Sequence, residues 1–164
     1  ISEEDSSDLS SNQYHVLTGP GEYEIGGLSI RGVATPGDDP AISRKINTVY
    51  VIDADGLQVA ALGNPGNQPS AQSVQQINKV DVLIINTEAQ NLEPDELSSV
   101  IRNLEPKIVV PSGYDSETGK PSAEMSRLLT ELGVKEFEPT SRLSVSRNGL
   151  PDERTVVVLQ NRSD

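Results

Sequence analysis

A chain of 164 residues with no cysteine and a single histidine is long enough for one domain with its own core, and it excludes disulfides, thiolate metal sites and any centre built from several imidazoles. The 13 Lys and Arg stand against 25 Asp and Glu, a net charge of −12 without a basic block, which repels phosphate backbones and argues against nucleic acid as a partner. No stretch approaches the roughly 18 consecutive apolar residues of a membrane span, and no basic-then-apolar leader opens the chain, so no membrane and a cytoplasmic home are expected.

Residues 1–13 (ISEEDSSDLSSNQ) are acidic and Ser-rich, with Ile1 and Leu9 their only apolar side chains. Such a stretch buries too little to offset its ordering entropy and reads as a tail or loop, leaving 14–164 as one domain. Tyr14–Leu17, Gly21–Ile25 and Leu28–Val33 are short β-prone runs broken by Gly19, Pro20, Gly26 and Gly27, the pattern of a meander. Asn47–Asp53 and Leu57–Leu62 flank Ala54-Asp55-Gly56, and Asp-Gly predicts a hairpin because glycine tolerates positive φ.

The period then changes. A helix is expected over Pro69–Ile77, with Ala71, Val74 and Ile77 inward, and Val80–Ile85 reads as a strand covered on both faces. Leu97, Val100, Ile101 and Leu104 repeat at helical spacing behind Pro94, which suits a first turn. Lys107–Val110 is another buried strand. Met125, Leu128, Leu129 and Leu132 form a second helical stripe stopped by Gly133. Val134–Phe137, Leu143–Ser146 and Thr155–Leu159 complete the expected strands. Hairpins first and βαβ-like units later predict a layered α/β or α+β domain.

Few residues carry a chemical signature. Gly113–Lys120 (GYDSETGK) follows a strand and precedes a helix, but five residues separate its glycines and Pro121 follows Lys120, so neither the register nor the hydroxyl of a phosphate loop is present. Gly19, Gly21, Gly26 and Gly27 lie between β runs and are explained by turns. Asp38 and Asp39 are adjacent and point apart in extended chain, and Asp53 and Asp55 flank a hairpin; such pairs do acid–base work only where the fold brings them across a substrate, and a hard-cation site at Asp38 and Asp39 is open but not supported by their spacing. His15 has no Ser or Cys partner in a diagnostic context. Asn161-Arg162-Ser163 matches a glycosylation acceptor only formally.

Three blocks together resemble the metallo-β-lactamase superfamily, in particular its small metal-dependent hydrolases: Gly19–Asp39 (GPGEYEIGGLSIRGVATPGDD), Asn47–Gly66 (NTVYVIDADGLQVAALGNPG), and Val80–Asn86 with Leu104–Tyr114 (LEPKIVVPSGY). The resemblance runs from about Val16 to Leu159. It implies a four-layer αββα sandwich whose active site lies along one edge of its two sheets, and an N-terminal part that this chain lacks. It also implies where metal ligands would stand. A His in a Thr-x-His-Asp context becomes Gly37 in Thr35-Pro36-Gly37-Asp38; a bridging Asp after Leu62-Gly63 becomes Asn64; a last His between Pro111 and Tyr114 becomes Gly113. The His-x-His-x-Asp-His signature of the family is absent, and the chain starts at Ile1 with its one Met at 125, as expected of a segment cut, processed or excised from a longer chain. A hydrolytic zinc site needs imidazole, carboxylate or thiolate ligands around an open position; Asp38 alone does not make one.

The expectation is therefore a pseudoenzyme with no catalytic, cofactor-binding or metal residue, acting as a binding or assembly module. An incomplete sandwich would leave an apolar sheet face for a preceding segment, a second copy or another protein chain to cover. The alternative is a metal-dependent hydrolase, zinc or another divalent ion being held by further ligands in a missing N-terminal segment, with Asp38 and Asn64 assisting. A weaker alternative has the acidic tail docking a basic partner.

Overall fold

Two antiparallel hairpins open the fold. β1 (Gly21–Ile25) and β2 (Leu28–Pro36) pair antiparallel across Gly26-Gly27, and β3 (Ile46–Ala54) and β4 (Leu57–Ala61) pair antiparallel across Asp55-Gly56. Both central residues of each turn have positive φ, 59° and 82° in the first and 54° and 76° in the second, which is why glycine recurs there. Asp53 Oδ1 accepts from Gly56 N at 2.9 Å and closes the second turn from outside. The protein is described here by a computed structural model covering residues 15–37, 46–88, 91–115 and 118–161.

The chain then alternates. α1 (Ala71–Ile77), β5 (Val82–Asn86), α2 (Pro94–Leu104), β6 (Ile108–Ser112), α3 (Ala123–Glu131) and β7 (Thr155–Val156) follow, with β4 to β7 all parallel. Among the described residues one seven-stranded sheet results, its strands in sequence order. Helices α1, α2 and α3 lie against one face, where Val33, Val49, Val51, Ala60, Leu83, Ile85 and Val109 meet Ile77, Leu97, Val100, Ile101 and Leu128. Burial of about a dozen such side chains, at ~1.5–3 kcal/mol each, is the main cohesive force. α2 starts on a capping box between Glu93 and Glu96 with Pro94 in its first turn, and α3 starts on Ser122 Oγ, which accepts from Met125 N at 3.2 Å.

The α/β reading holds, and among the described residues it comprises one sheet and one helical layer of the four layers that the resemblance implies. Helix stripes are as expected for α2 and for Met125, Leu128 and Leu129 of α3, and Gly133, at φ 77°, ends α3. Other expectations need correction. The first helix begins at Ala71 because Ser70 caps it, accepting from Ser73 N; Ala71 is exposed, and it is Ser73 that is buried, its Oγ donating to Ala34 O at 3.2 Å. Val134–Phe137 and Leu143–Ser146 are not strands. The alternation in the second is genuine, but Leu143 and Val145 lie flat on the sheet face remote from the helices, against Val82, Ile108 and Val110, so packing rather than a ladder satisfies the period. β7 is only two residues long, extended by a single bridge from Leu159 to Thr140. His15–Leu17 is not a strand either, and Tyr14, with residues 1–13, lies outside the described residues. No helix among the described residues is long and apolar enough to cross a membrane.

Candidate functional site

β2 and β4 each run antiparallel to β3, and β4, β5 and β6 run parallel, so the C-terminal ends of β2, β4, β5 and β6 share one edge of the sheet. In open sheets with parallel strands this is the edge where ligands bind. Four connections emerge there: Thr35-Pro36-Gly37, Leu62-Gly63-Asn64, Asn86-Thr87-Glu88 and Ser112-Gly113. The fold thus brings Gly37, Asn64 and Gly113 to a common edge. Gly66 N donates to Pro36 O at 3.0 Å and ties the loops of Gly37 and Asn64 together. Asp38 and Asp39 lie outside the described residues.

Neutral amides organise the first half of this edge. Asn47, at the start of β3, donates from Nδ2 to Thr35 Oγ1 at 2.8 Å and to Leu62 O at 3.0 Å, while its Oδ1 accepts from Asn64 N at 2.8 Å. Gly63 is held at φ 70° directly against this hub: a Cβ there would stand 2.3 Å from Asn47 Oδ1. Asn64 Oδ1 in turn accepts from Asn91 N at 3.2 Å and Asn91 Nδ2 at 3.1 Å. Its acceptor capacity is spent on a neighbouring loop.

The second half is closed by a hydroxyl. Thr87 is 3% exposed, and its N and Oγ1 both donate to Ser112 O, at 2.7 and 2.9 Å. That places Oγ1 where a side chain at position 113 would go, 2.1 Å from an added Cβ, with Ser122 Oγ at 3.2 Å and Glu88 Cγ at 3.3 Å behind it. Gly113 O accepts from Ser122 N at 3.0 Å and so joins the edge to the start of α3. Tyr114 points away and donates to Leu159 O; burial raises its phenol pKa, so it is a neutral donor.

These residues do not fit a hydrolytic metal centre. Gly37 and Gly113 supply no donor, the side-chain space at 113 is filled, and the one oxygen of Asn64 is committed to Asn91. Among the described residues no three His, Cys, Asp or Glu side chains gather as a metal-holding group. The other sequence candidates fall elsewhere. His15 is exposed, Asp53 accepts from Gly56 N and from Gln58 Nε2 at 2.6 Å, and Asp55 is an exposed turn residue. In the phosphate-loop-like stretch, Asp115 N donates to Lys120 O at 2.8 Å and Gly119 N to Asp115 O at 2.8 Å. Asn161 is described, but Arg162 and Ser163 are not. Sequence reading missed Thr87, Asn47 and Asn91, because no local spacing pairs residue 87 with 113 or residue 47 with 64.

Known proteins place this edge in context. The β-lactamase superfamily domain family matches residues 1–112. No curated protein matches. Among solved structures, a proposed Zn-dependent hydrolase of the metallo-β-lactamase superfamily from Thermotoga maritima is similar over 88% of this chain and 71% of its own, at 26% identity and a TM-score of 0.68. The metallo-β-lactamase fold protein YhfI from Bacillus subtilis (10% identity, TM-score 0.55) and a metallo hydrolase from the hyperthermophilic archaeon Ignicoccus hospitalis (17%, 0.51) share the fold. The match covers 96% and 80% of this chain, and it spans about three-fifths of theirs, 59% and 60%. On the family match and these structural neighbours, the chain belongs to the metallo-β-lactamase superfamily.

Proposed function

We propose that this chain is a non-catalytic metallo-β-lactamase-fold protein that acts as a binding or assembly module and needs no metal or other cofactor. The observation that carries this reading is the pair of replacements at the edge: Asn64 is bonded to Asn91, and the Thr87 hydroxyl stands in the space beside Gly113. A ligand position left merely empty would still admit an ion or a substrate; at Gly113 the space is filled by Thr87, and at Asn64 the side-chain oxygen is already bonded to Asn91. The assembly part of the proposal is supported by the sheet face away from the helices. There Leu28 is 41%, Ile46 59% and Ile84 39% exposed, beside the half-buried Ile52, Val59 and Ala61. An apolar sheet surface left this open invites cover by a preceding segment, a second copy or another protein.

The test is twofold. Ester and β-lactam hydrolysis is measured with and without added zinc or manganese, and the native mass is recorded after purification without chelators. No metal-stimulated hydrolysis and a metal-free mass are expected. Hydrolysis that rises with metal sinks the reading. The competing reading, a hydrolase completed by ligands upstream, is favoured by one observation: the Thermotoga protein, described as a proposed Zn-dependent hydrolase, extends beyond the 71% of its length matched here. A His-x-His-x-Asp-His encoded immediately upstream of Ile1, together with zinc retained by the extended chain, would establish it.

A further inference from the structure

We infer that Asn148 is a self-modification site, at which the folded chain converts asparagine to aspartate and isoaspartate. Asn148-Gly149 is the sole Asn-Gly dipeptide of the sequence. It lies in a one-turn 3₁₀ helix, Arg147–Gly149, with both residues exposed. Glycine lacks the Cβ that would screen its main-chain nitrogen, so the nitrogen can reach the side-chain carbonyl carbon of the preceding residue. One bond holds it back, Gly149 N to Ser146 O at 3.0 Å, within a helix too short to be stable by itself. Opening so small and exposed a unit costs little.

The chemistry balances without a cofactor. Gly149 N, losing its proton to solvent base, attacks Asn148 Cγ; the Cγ–Nδ2 bond breaks, ammonia leaves, and a five-membered succinimide remains. Water then adds to either ring carbonyl, yielding aspartate or, in larger amount, isoaspartate. One amide and one water have become one carboxylate and one ammonium ion.

Structure also sets which labile dipeptide reacts. Asp55-Gly56, the one Asp-Gly of the chain, could form the same ring. Its nitrogen, however, donates to the Asp53 carboxylate at 2.9 Å, its turn is fixed by the paired strands β3 and β4, and the Arg147 guanidinium covers it, with Nη1 2.9 Å from where a Gly56 Cβ would stand. No ladder holds Asn148. The consequence falls on the neighbouring apolar strap, because Val145 and Leu150 on either side of the site cover Val82, Ile108 and Val110. Isoaspartate would place a negative charge beside Arg147 and an extra methylene in the main chain of that strap.

The folded chain is incubated at mildly alkaline pH and digested after Arg147, and the peptide starting at residue 148 is followed by mass and by isoaspartate-specific methylation. Progressive loss of the asparagine form, a methylation signal at 148 that Asn148→Gln abolishes, and unchanged aspartate at 55 are the expected results. Conversion in urea but not in the folded chain would overturn the inference, and so would equal conversion at 55.

Discussion

Thr87 and Gly113 share one side-chain space. Thr87 Oγ1, donating to Ser112 O at 2.9 Å, stands 2.1 Å from where a Cβ on residue 113 would be. Gly113 also has φ 153°, in a region that L side chains rarely adopt. Gly113→Ala should therefore cost about 2–4 kcal/mol, from backbone strain together with overpacking. Thr87→Ala removes the obstructing hydroxyl, so the double variant should lose at least about 0.5–1 kcal/mol less than the two single losses added. Urea unfolding of the four proteins checks this; strict additivity would show that the two residues do not compete for space.

Asn47 holds the other half of the edge through Thr35, Leu62 and Asn64. Asn47→Ala should destabilise by about 1–3 kcal/mol, since three bonds are lost around a part-buried hub. Asn64→Asp keeps an acceptor for Asn91 and should change stability by under about 0.5 kcal/mol. It should not confer zinc retention in a native mass spectrum, because a carboxylate at 64 still faces no second ligand from Gly37 or Gly113.

Tyr50 donates to Leu17 O at 3.0 Å and accepts from Gly19 N at 3.1 Å, and burial is the main cause that raises its pKa above 10.0. The unfolded chain then loses this proton before the folded one. Its contribution is intact below pH 10.0, and stability falls as pH rises from there through the raised value. Tyr50→Phe should cost about 1 kcal/mol at neutral pH and show a shallower alkaline decline of the unfolding midpoint. An unchanged decline would assign it to other groups.

The open sheet face offers a direct test of assembly. Leu28→Ser with Ile84→Ser changes two exposed positions, so stability should shift by no more than about 1 kcal/mol, while binding of an apolar dye and any self-association should drop. A wild-type chain that is monomeric by light scattering and binds no dye would remove this face from the proposal.

The amino-acid sequence by itself determined the strands β1 to β6, the stripes of α2 and α3, and the family, because each is local: turn glycines, helical spacing behind a cap, and blocks of residues in order. Through the family resemblance it also pointed to Gly37, Asn64 and Gly113 as the positions where metal ligands would be expected. What only the tertiary structure decided is what stands there instead. Residue 87 meets 113 because the parallel strands β5 and β6 end side by side, and 47 meets both 35 and 64 because β3 runs antiparallel between β2 and β4. The same holds for Leu143–Ser146, whose alternation says that one side is apolar but not whether that side pairs in a ladder or lies on a sheet. Side-chain period records which face is buried; what covers it is set by contacts distant in sequence.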